Sequence, residues 1–282
     1  MSAAKLVIFD YSGTLSLEAP RFGASGNLTK TLKETGLVKL GVTTPEIFWE
    51  DIVIPSWDEG STTAVGYKTI FEKRIRKIFP ENSAVLSDAE IARSVSDFVD
   101  RYFDHSMIDK RWRPALVCLK EAPSVRAIIA TDHYREATAA IVRSLGEITI
   151  SSISAVEGYL AARKGSFIVA NSAEIGFHKA DRKFWDVLKS GVPLTAIQRI
   201  LLIDDFGSNE NVRSAFGTRE KVIARQKKTT LLLEEIFDAE VTVIPFVVER
   251  RRGKESIGRQ IREISCAIKE FIASDERGST NG

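Results

Sequence analysis

Cysteine is almost missing from this 282-residue chain: only Cys118 and Cys266 occur. Two thiols cannot form a disulfide scaffold, and they exclude a zinc site built on cysteines. Both read as buried or half-buried thiols of a reducing compartment. Neither sign of charge prevails. Lysine and arginine total 40 against 38 acidic residues, for a formal net charge of +2. That balance excludes a protein holding nucleic acid by bulk charge. No apolar run approaches the ~18–20 residues of a membrane span. The opening Met-Ser-Ala-Ala-Lys leads into strand-like sequence without a signal-peptide pattern, so the expected location is cytoplasmic. Internal repeats and low-complexity stretches are also lacking. What is present is ordinary for a globular chain with a real core: 44% apolar and 28% charged residues. At about 150 residues per domain, the length allows one large domain or two modest ones.

Three short apolar runs punctuate the chain. They are Leu6-Val7-Ile8-Phe9, Ala127-Ile128-Ile129-Ala130 and Ile200-Leu201-Leu202-Ile203. Runs apolar on both faces predict strands inside a parallel sheet. Each precedes polar residues and then a helical pattern, as at Glu136–Leu145 and Asn211–Phe216, which predicts an α/β domain. Weaker strand candidates are Phe167–Val169, Lys221–Ala224 and Val241–Val248, the last carrying Pro245 and so suited to an edge. Helices are expected at Arg182–Leu188, Thr229–Phe237 and Ile257–Ile272. Between the first two strands lies far more chain than a crossover needs. It is rich in helical stretches, at Leu28–Glu34, Pro45–Ile52, Thr63–Ile78 and Ser87–Phe103. The expected architecture is a doubly wound parallel sheet, Rossmann-like, with a smaller, mostly helical cap. The core would comprise residues 1–16 and 115–275, the cap 17–114, and 276–282 a flexible tail.

Each of the three strands ends in oxygen-bearing residues: Asp10, Thr131 with Asp132, and Asp204-Asp205. In an open parallel sheet, ligands bind outside the carboxyl ends of the strands. Neighbouring strands would gather these carboxylates at one edge, where burial without a partner is costly. A bound cation relieves that, and an oxygen-only donor set suits Mg²⁺ working with a phosphate. The bland reading makes each acid a helix N-cap.

Four windows together carry a resemblance. Val7-Ile8-Phe9-Asp10-Tyr11-Ser12-Gly13-Thr14-Leu15 resembles the first motif of the haloacid dehalogenase-like (HAD) hydrolase superfamily. Ile128–Thr131 resembles the second. Ser172–Phe184, with Gly176, Lys179 and Asp181 and with Ala180 where the motif usually has proline, resembles the third. Ile203-Asp204-Asp205 followed by Asn209 resembles the fourth. The resemblance implies Asp10 as a nucleophile forming an aspartyl-phosphate. It implies Mg²⁺ held by Asp10, the Ser12 carbonyl and Asp204, with Asp205 and Asn209 as further ligands or holders of metal waters. Thr131, Asp132, Ser12 and nearby amides would face the phosphoryl group, and Lys179 would neutralise charge. The implied partner is a small phosphorylated substrate, with no nucleic acid and no membrane, and with a homodimer left open.

Ser12 departs from the pattern. Phosphatases of this superfamily usually carry a second Asp there as general acid and base, and losing such a group costs on the order of 10²–10⁴-fold in rate. Three explanations remain open: a leaving group good enough to need no proton, an acid supplied by the cap or substrate, or a slow or non-catalytic phosphate-binding relative. A phosphonate hydrolase would require a Schiff-base lysine from among Lys30, Lys33, Lys39, Lys68, Lys73, Lys77 and Lys110. The Asp204-Asp205 pair argues against a metal-independent dehalogenase. Elsewhere, Tyr11, Trp49, Trp57 and Trp112 read as packing, His133 as a plain loop residue with pocket lining as the alternative, His178 as an exposed loop residue with phosphate binding as the alternative, Lys110–Arg113 as a hinge, and Arg250–Arg252 as surface.

Overall fold

In a computed structural model, residues 5–157, 165–191, 197–209, 218–248 and 253–274 are described. Six strands form one sheet: β1 Lys5–Phe9, β2 Val125–Thr131, β3 Ser152–Ser154, β4 Phe167–Asn171, β5 Arg199–Asp204 and β6 Glu240–Pro245. Their order is β3-β4-β2-β1-β5-β6, with every pairing parallel. The three apolar runs are the three central strands. β1 is fully buried, and its side chains alternate between two apolar layers. Val7 and Phe9 enter the layer shared with Ile129, Trp112 and the C-terminal helix. Leu6 and Ile8 enter the layer of Ile128, Phe184, Trp185 and Leu233.

β6 is an edge strand that ends at Pro245, as its proline suggested. Lys221–Ala224 is not a strand. It lies in the Arg219–Phe237 helix, because Val222-Ile223-Ala224 is only a brief apolar patch inside a long helix-forming segment. The expected helix at Asn211–Phe216, the Arg250–Arg252 cluster and the tail from 275 lie outside the described residues.

Between β1 and β2 the described elements are helical. Ser87 starts the Asp88–His105 helix with a full capping box: its hydroxyl accepts the Glu90 amide while the Glu90 carboxylate accepts the Ser87 amide. The helix expected at Pro45–Ile52 runs further. It passes from Pro45–Ile47 through a π turn, Phe48–Val53, into Ile54–Thr62. Pro55 has no amide to offer the Asp51 carbonyl. The Arg74 guanidinium takes that carbonyl instead, with Nε at 3.0 Å.

This helical segment and the sheet share one apolar cluster, running from Phe9 and Tyr11 to Phe22, Phe48, Phe71 and Phe98. The chain re-enters the core at Trp112, which is fully buried. Its ring meets Phe9 and Phe246 edge-on, and its indole N–H donates to the Thr14 carbonyl at 3.0 Å. At the other end of the chain, Ile257, Ile261, Ile264 and Ile268 form the buried face of the Gly253–Ala273 helix. The Lys5 ammonium closes that helix by donating to the Phe271 and Ile272 carbonyls at 2.8 and 3.0 Å, where a cation meets the negative end of the helix dipole.

Candidate active site

Strand register assembles the site. Phe9 lies opposite Ile129 on one side and Ile203 on the other, so the next residues of β1 and β5 are Asp10 and Asp204. The Asp10 amide extends the ladder by donating to the Ile203 carbonyl at 2.9 Å. Asp10, Thr131, Asp204 and Asp205 are all buried. One carboxylate oxygen from each of Asp10, Asp204 and Asp205 can be chosen so that all three lie within 4.8 Å of one another. Lys179 reaches this cluster from the loop before the Arg182–Gly191 helix. Its ammonium donates to Asp10 Oδ1 at 2.5 Å and Asp204 Oδ2 at 3.1 Å.

Burial pushes the Asp10 carboxyl up to about 7; Asp204 and Asp132 push the same way and Lys179 opposes them. Burial also works against charge on Lys179. The carboxylates of Asp10, Asp204 and Asp132 outweigh it and hold the ammonium above its ordinary range. Three buried carboxylates against one ammonium leave excess negative charge in a low-dielectric site. A hard divalent cation with oxygen ligands fits that donor set.

The turn after β1 supports the cluster. Gly13 has φ +83, and a Cβ there would lie 2.5 Å from Asp205 Oδ2, so glycine lets the backbone approach the carboxylate. Thr14 Oγ1 accepts the Asp205 amide at 3.0 Å. Asp205 in turn accepts the amides of Gly207 and Asn209 at 3.1 and 2.8 Å, and Asp204 Oδ1 accepts that of Phe206 at 2.6 Å.

Two expected site residues have different partners. Asn209 was expected to hold metal waters. Its Nδ2 donates to the carbonyls of Gly13 and Phe246 at 2.7 and 2.8 Å, and its Oδ1 accepts the Val248 amide at 2.7 Å. Both donors and the oxygen therefore tie three loops together rather than facing an ion. Asp132 was expected to face phosphate. Its Oδ1 accepts the Lys179 amide at 2.8 Å, and a carboxylate repels an anion. Ser12 sits in the β1 turn, half-buried, bridged to Ser16.

The histidines also depart from expectation. His133 is buried within an aromatic cluster, stacked on Tyr102. Its Nδ1 accepts the Tyr134 amide at 2.8 Å, leaving Nε2 to pair with the Tyr102 hydroxyl at 2.8 Å. Burial lowers its pKa to about 4. His178 Nε2 lies 2.7 Å from Ser61 Oγ, so it joins the loop carrying Lys179 to the Ile54–Thr62 helix. Tyr11 packs as expected, and its hydroxyl donates to the Ser106 carbonyl.

Sequence reasoning missed three contributors: Thr14, Glu136 and Trp185. Glu136 accepts the Tyr67 amide at 2.8 and 2.9 Å, at the start of the Tyr67–Ile78 helix. The seven lysines weighed for a Schiff base are exposed or half-buried. Lys30, Lys68 and Lys73 pair with Glu34, Asp100 and Glu59.

No protein-family model matches the chain, and no curated protein matches it by sequence. Solved structures do match. An L-2-haloacid dehalogenase from Xanthobacter autotrophicus, with chloropropionic acid covalently bound, is 12% identical over 95% of this chain and 86% of its own, with a TM-score of 0.43. A 2-haloacid dehalogenase from Pseudomonas syringae pv. Tomato DC3000 is 16% identical over 79% and 99%, with a TM-score of 0.45. A HAD-hydrolase from Bacillus subtilis, YfnB, bound to magnesium, is 12% identical over 79% and 86%, with a TM-score of 0.41.

Proposed function

We propose that this protein is a Mg²⁺-dependent hydrolase of a small phosphorylated metabolite, with a core at about 1–16 and 115–275 and a helical cap at about 17–114. The observation that carries this reading is the Lys179 ammonium bonded to both Asp10 and Asp204, with Asp205 in the same cluster. Asp10, Asp204 and the Ser12 carbonyl would hold the ion, with Asp205 beside them. When bound, Mg²⁺ offsets the charge of the carboxylates and of the phosphoryl group.

The chain's own groups supply the rest. An Asp10 oxygen attacks phosphorus while the bond to the leaving group breaks, giving an aspartyl-phosphate. Thr131 and adjacent amides orient the phosphoryl oxygens, and Lys179 neutralises developing charge. Water then attacks phosphorus, the bond to Asp10 breaks, and the water's protons pass to phosphate and solvent. Ser12 cannot donate a proton to the leaving group near neutral pH, so substrates whose leaving group departs as a stable anion fit best. Acyl phosphates and phosphoanhydrides are of this kind.

Ser12 also favours a second reading, a phosphate-binding or weakly active relative. A panel of phosphate esters, acyl phosphates and phosphonates, assayed with Mg²⁺ and with chelator, separates the two. Metal-dependent turnover abolished by Asp10→Asn is expected. Turnover unchanged in that variant would falsify the covalent mechanism, and phosphate binding without turnover would favour the second reading.

A further inference from the structure

We propose that Asp132 and Trp185 are positioning residues that hold the backbone of Lys179 from both sides and so place its ammonium on Asp10. The catalytic consequence rests on the reading of Asp10 as nucleophile; the backbone clamp does not. The Lys179 amide donates to Asp132 Oδ1 at 2.8 Å, and the Lys179 carbonyl accepts from Trp185 Nε1 at 2.8 Å. The two partners come from different parts of the fold. Asp132 directly follows β2, whereas Trp185 stands in the first turn of the Arg182–Gly191 helix.

Both anchors are fixed by their surroundings. Trp185 is fully buried beside Phe184 in the apolar layer under the sheet. A buried indole N–H requires an acceptor, and here that acceptor is the Lys179 carbonyl. Asp132 is attached to the end of a central strand, next to buried Thr131.

The clamp answers a problem posed by lysine itself. Its flexible four-carbon stem has many rotamers and no built-in direction. Ala180 follows Lys179, so no proline ring restricts the backbone at that step. Yet the ammonium stands 2.5 Å from Asp10 and 3.1 Å from Asp204. Fixing the lysine's amide and carbonyl removes backbone freedom from the search and leaves only the side chain to order. Asp132 therefore supports the site by accepting a hydrogen bond, not by touching substrate.

The test compares Asp132→Asn, which retains an oxygen acceptor, with Asp132→Ala, which does not. One readout needs no substrate: amide hydrogen exchange at Lys179, followed by NMR. In Asp132→Ala, exchange at Lys179 is expected to quicken ~10-fold or more. In the same variant kcat for acetyl phosphate with Mg²⁺ falls ~10–100-fold while KM moves less than about threefold, as expected for a misplaced catalytic group. Asp132→Asn stays within about threefold of the wild type on both measures. Trp185→Phe keeps the packing and removes the other clamp, so it also quickens exchange around Lys179 and lowers kcat. Wild-type exchange in Asp132→Ala would overturn the proposal. So would an Asp132→Asn variant as impaired as Asp132→Ala, since the charge rather than the hydrogen bond would then matter. Asp10→Asn serves as the control for the site reading: if its turnover equals the wild type, that reading fails while the exchange experiment still decides the clamp.

Discussion

Residue by residue, the site is governed by what burial does to charge. Asp10 lies at the end of a strand buried on both faces, and its carboxyl is pushed up to about 7 by burial. Ser12, two residues on, carries a hydroxyl that is too weak an acid to assist a leaving group. Replacing Ser12 with Asp is expected to raise turnover of simple alkyl phosphate monoesters by ~10²-fold or more and acetyl phosphate much less; steady-state rates on the two substrates check it. His133 makes a pH prediction. Its folded pKa of about 4 lies below the ordinary 6.5, and burial is the cause. The folded state therefore takes up a proton less readily than the unfolded chain. Stability from this group is complete above about pH 6.5 and declines as pH falls toward 4, by up to about 3 kcal/mol. Melting curves at pH 7.5 and 5 should show a smaller drop for His133→Gln than for the wild type, and an equal drop would refute the assignment. Asp10, Asp204 and Asp205 were legible as site candidates because strand ends collect chemistry in this architecture, and Lys179 only because its segment resembles a known motif. The bracing roles of Asn209 and Asp132 were not, because their partners lie on loops far away in sequence.

At the scale of elements, turns and helix ends set the geometry. Gly13 combines φ +83 with a Cβ position 2.5 Å from Asp205 Oδ2. Gly13→Ala is expected to cost ~1–3 kcal/mol through backbone strain and to weaken metal binding by displacing Asp205. Chemical denaturation and a Mg²⁺ titration of the same variant measure both effects. Glu136 supplies what the Tyr67–Ile78 helix lacks, since Gly66 at its start has no side chain to cap it. Glu136→Ala should lose about 1 kcal/mol of local stability, seen as faster exchange of the Tyr67 and Lys68 amides, with unchanged exchange counting against that role. The capping box at Ser87 was legible because its signature is local. The π turn ahead of Pro55 was not, and the group that takes its Asp51 carbonyl, the Arg74 guanidinium, lies on another helix. The three-residue β3 strand also escaped notice, being too short to show a pattern.

Across the whole molecule, the helical segment between β1 and β2 packs on the rest of the fold through several distinct contacts. Tyr67 stacks on Tyr134 with centroids 3.9 Å apart, Ser61 meets His178, Tyr102 meets His133, and the Tyr11 hydroxyl reaches the Ser106 carbonyl. Three of these contacts involve residues in or beside the second and third motif windows, so the placement of the helical segment and the site geometry are joined physically. Among the described residues no helix is long and apolar enough to cross a membrane. The excess charge of Asp10, Asp204 and Asp205 makes a further prediction. Mg²⁺ at about 100 times its dissociation constant should stabilise the fold by about 2.7 kcal/mol, raising the melting temperature by several degrees. Asp204→Asn should abolish most of that gain; an equal rise in the variant would remove the metal reading.

The sequence by itself determined the central strands, the parallel α/β class, the long helical stretch after β1 and the carboxylates at the strand ends. Each of these is written in local patterns: apolar runs, helical spacing and turn residues next to one another along the chain. Only the tertiary structure decided which polar groups face the site and which brace it. Asp132 and Trp185 on Lys179, Asn209 across three loops, and Glu136 at the start of the Tyr67–Ile78 helix are pairings between segments apart in sequence. A hydrogen bond needs its two partners to meet in space, and local sequence says nothing about where a distant loop will end.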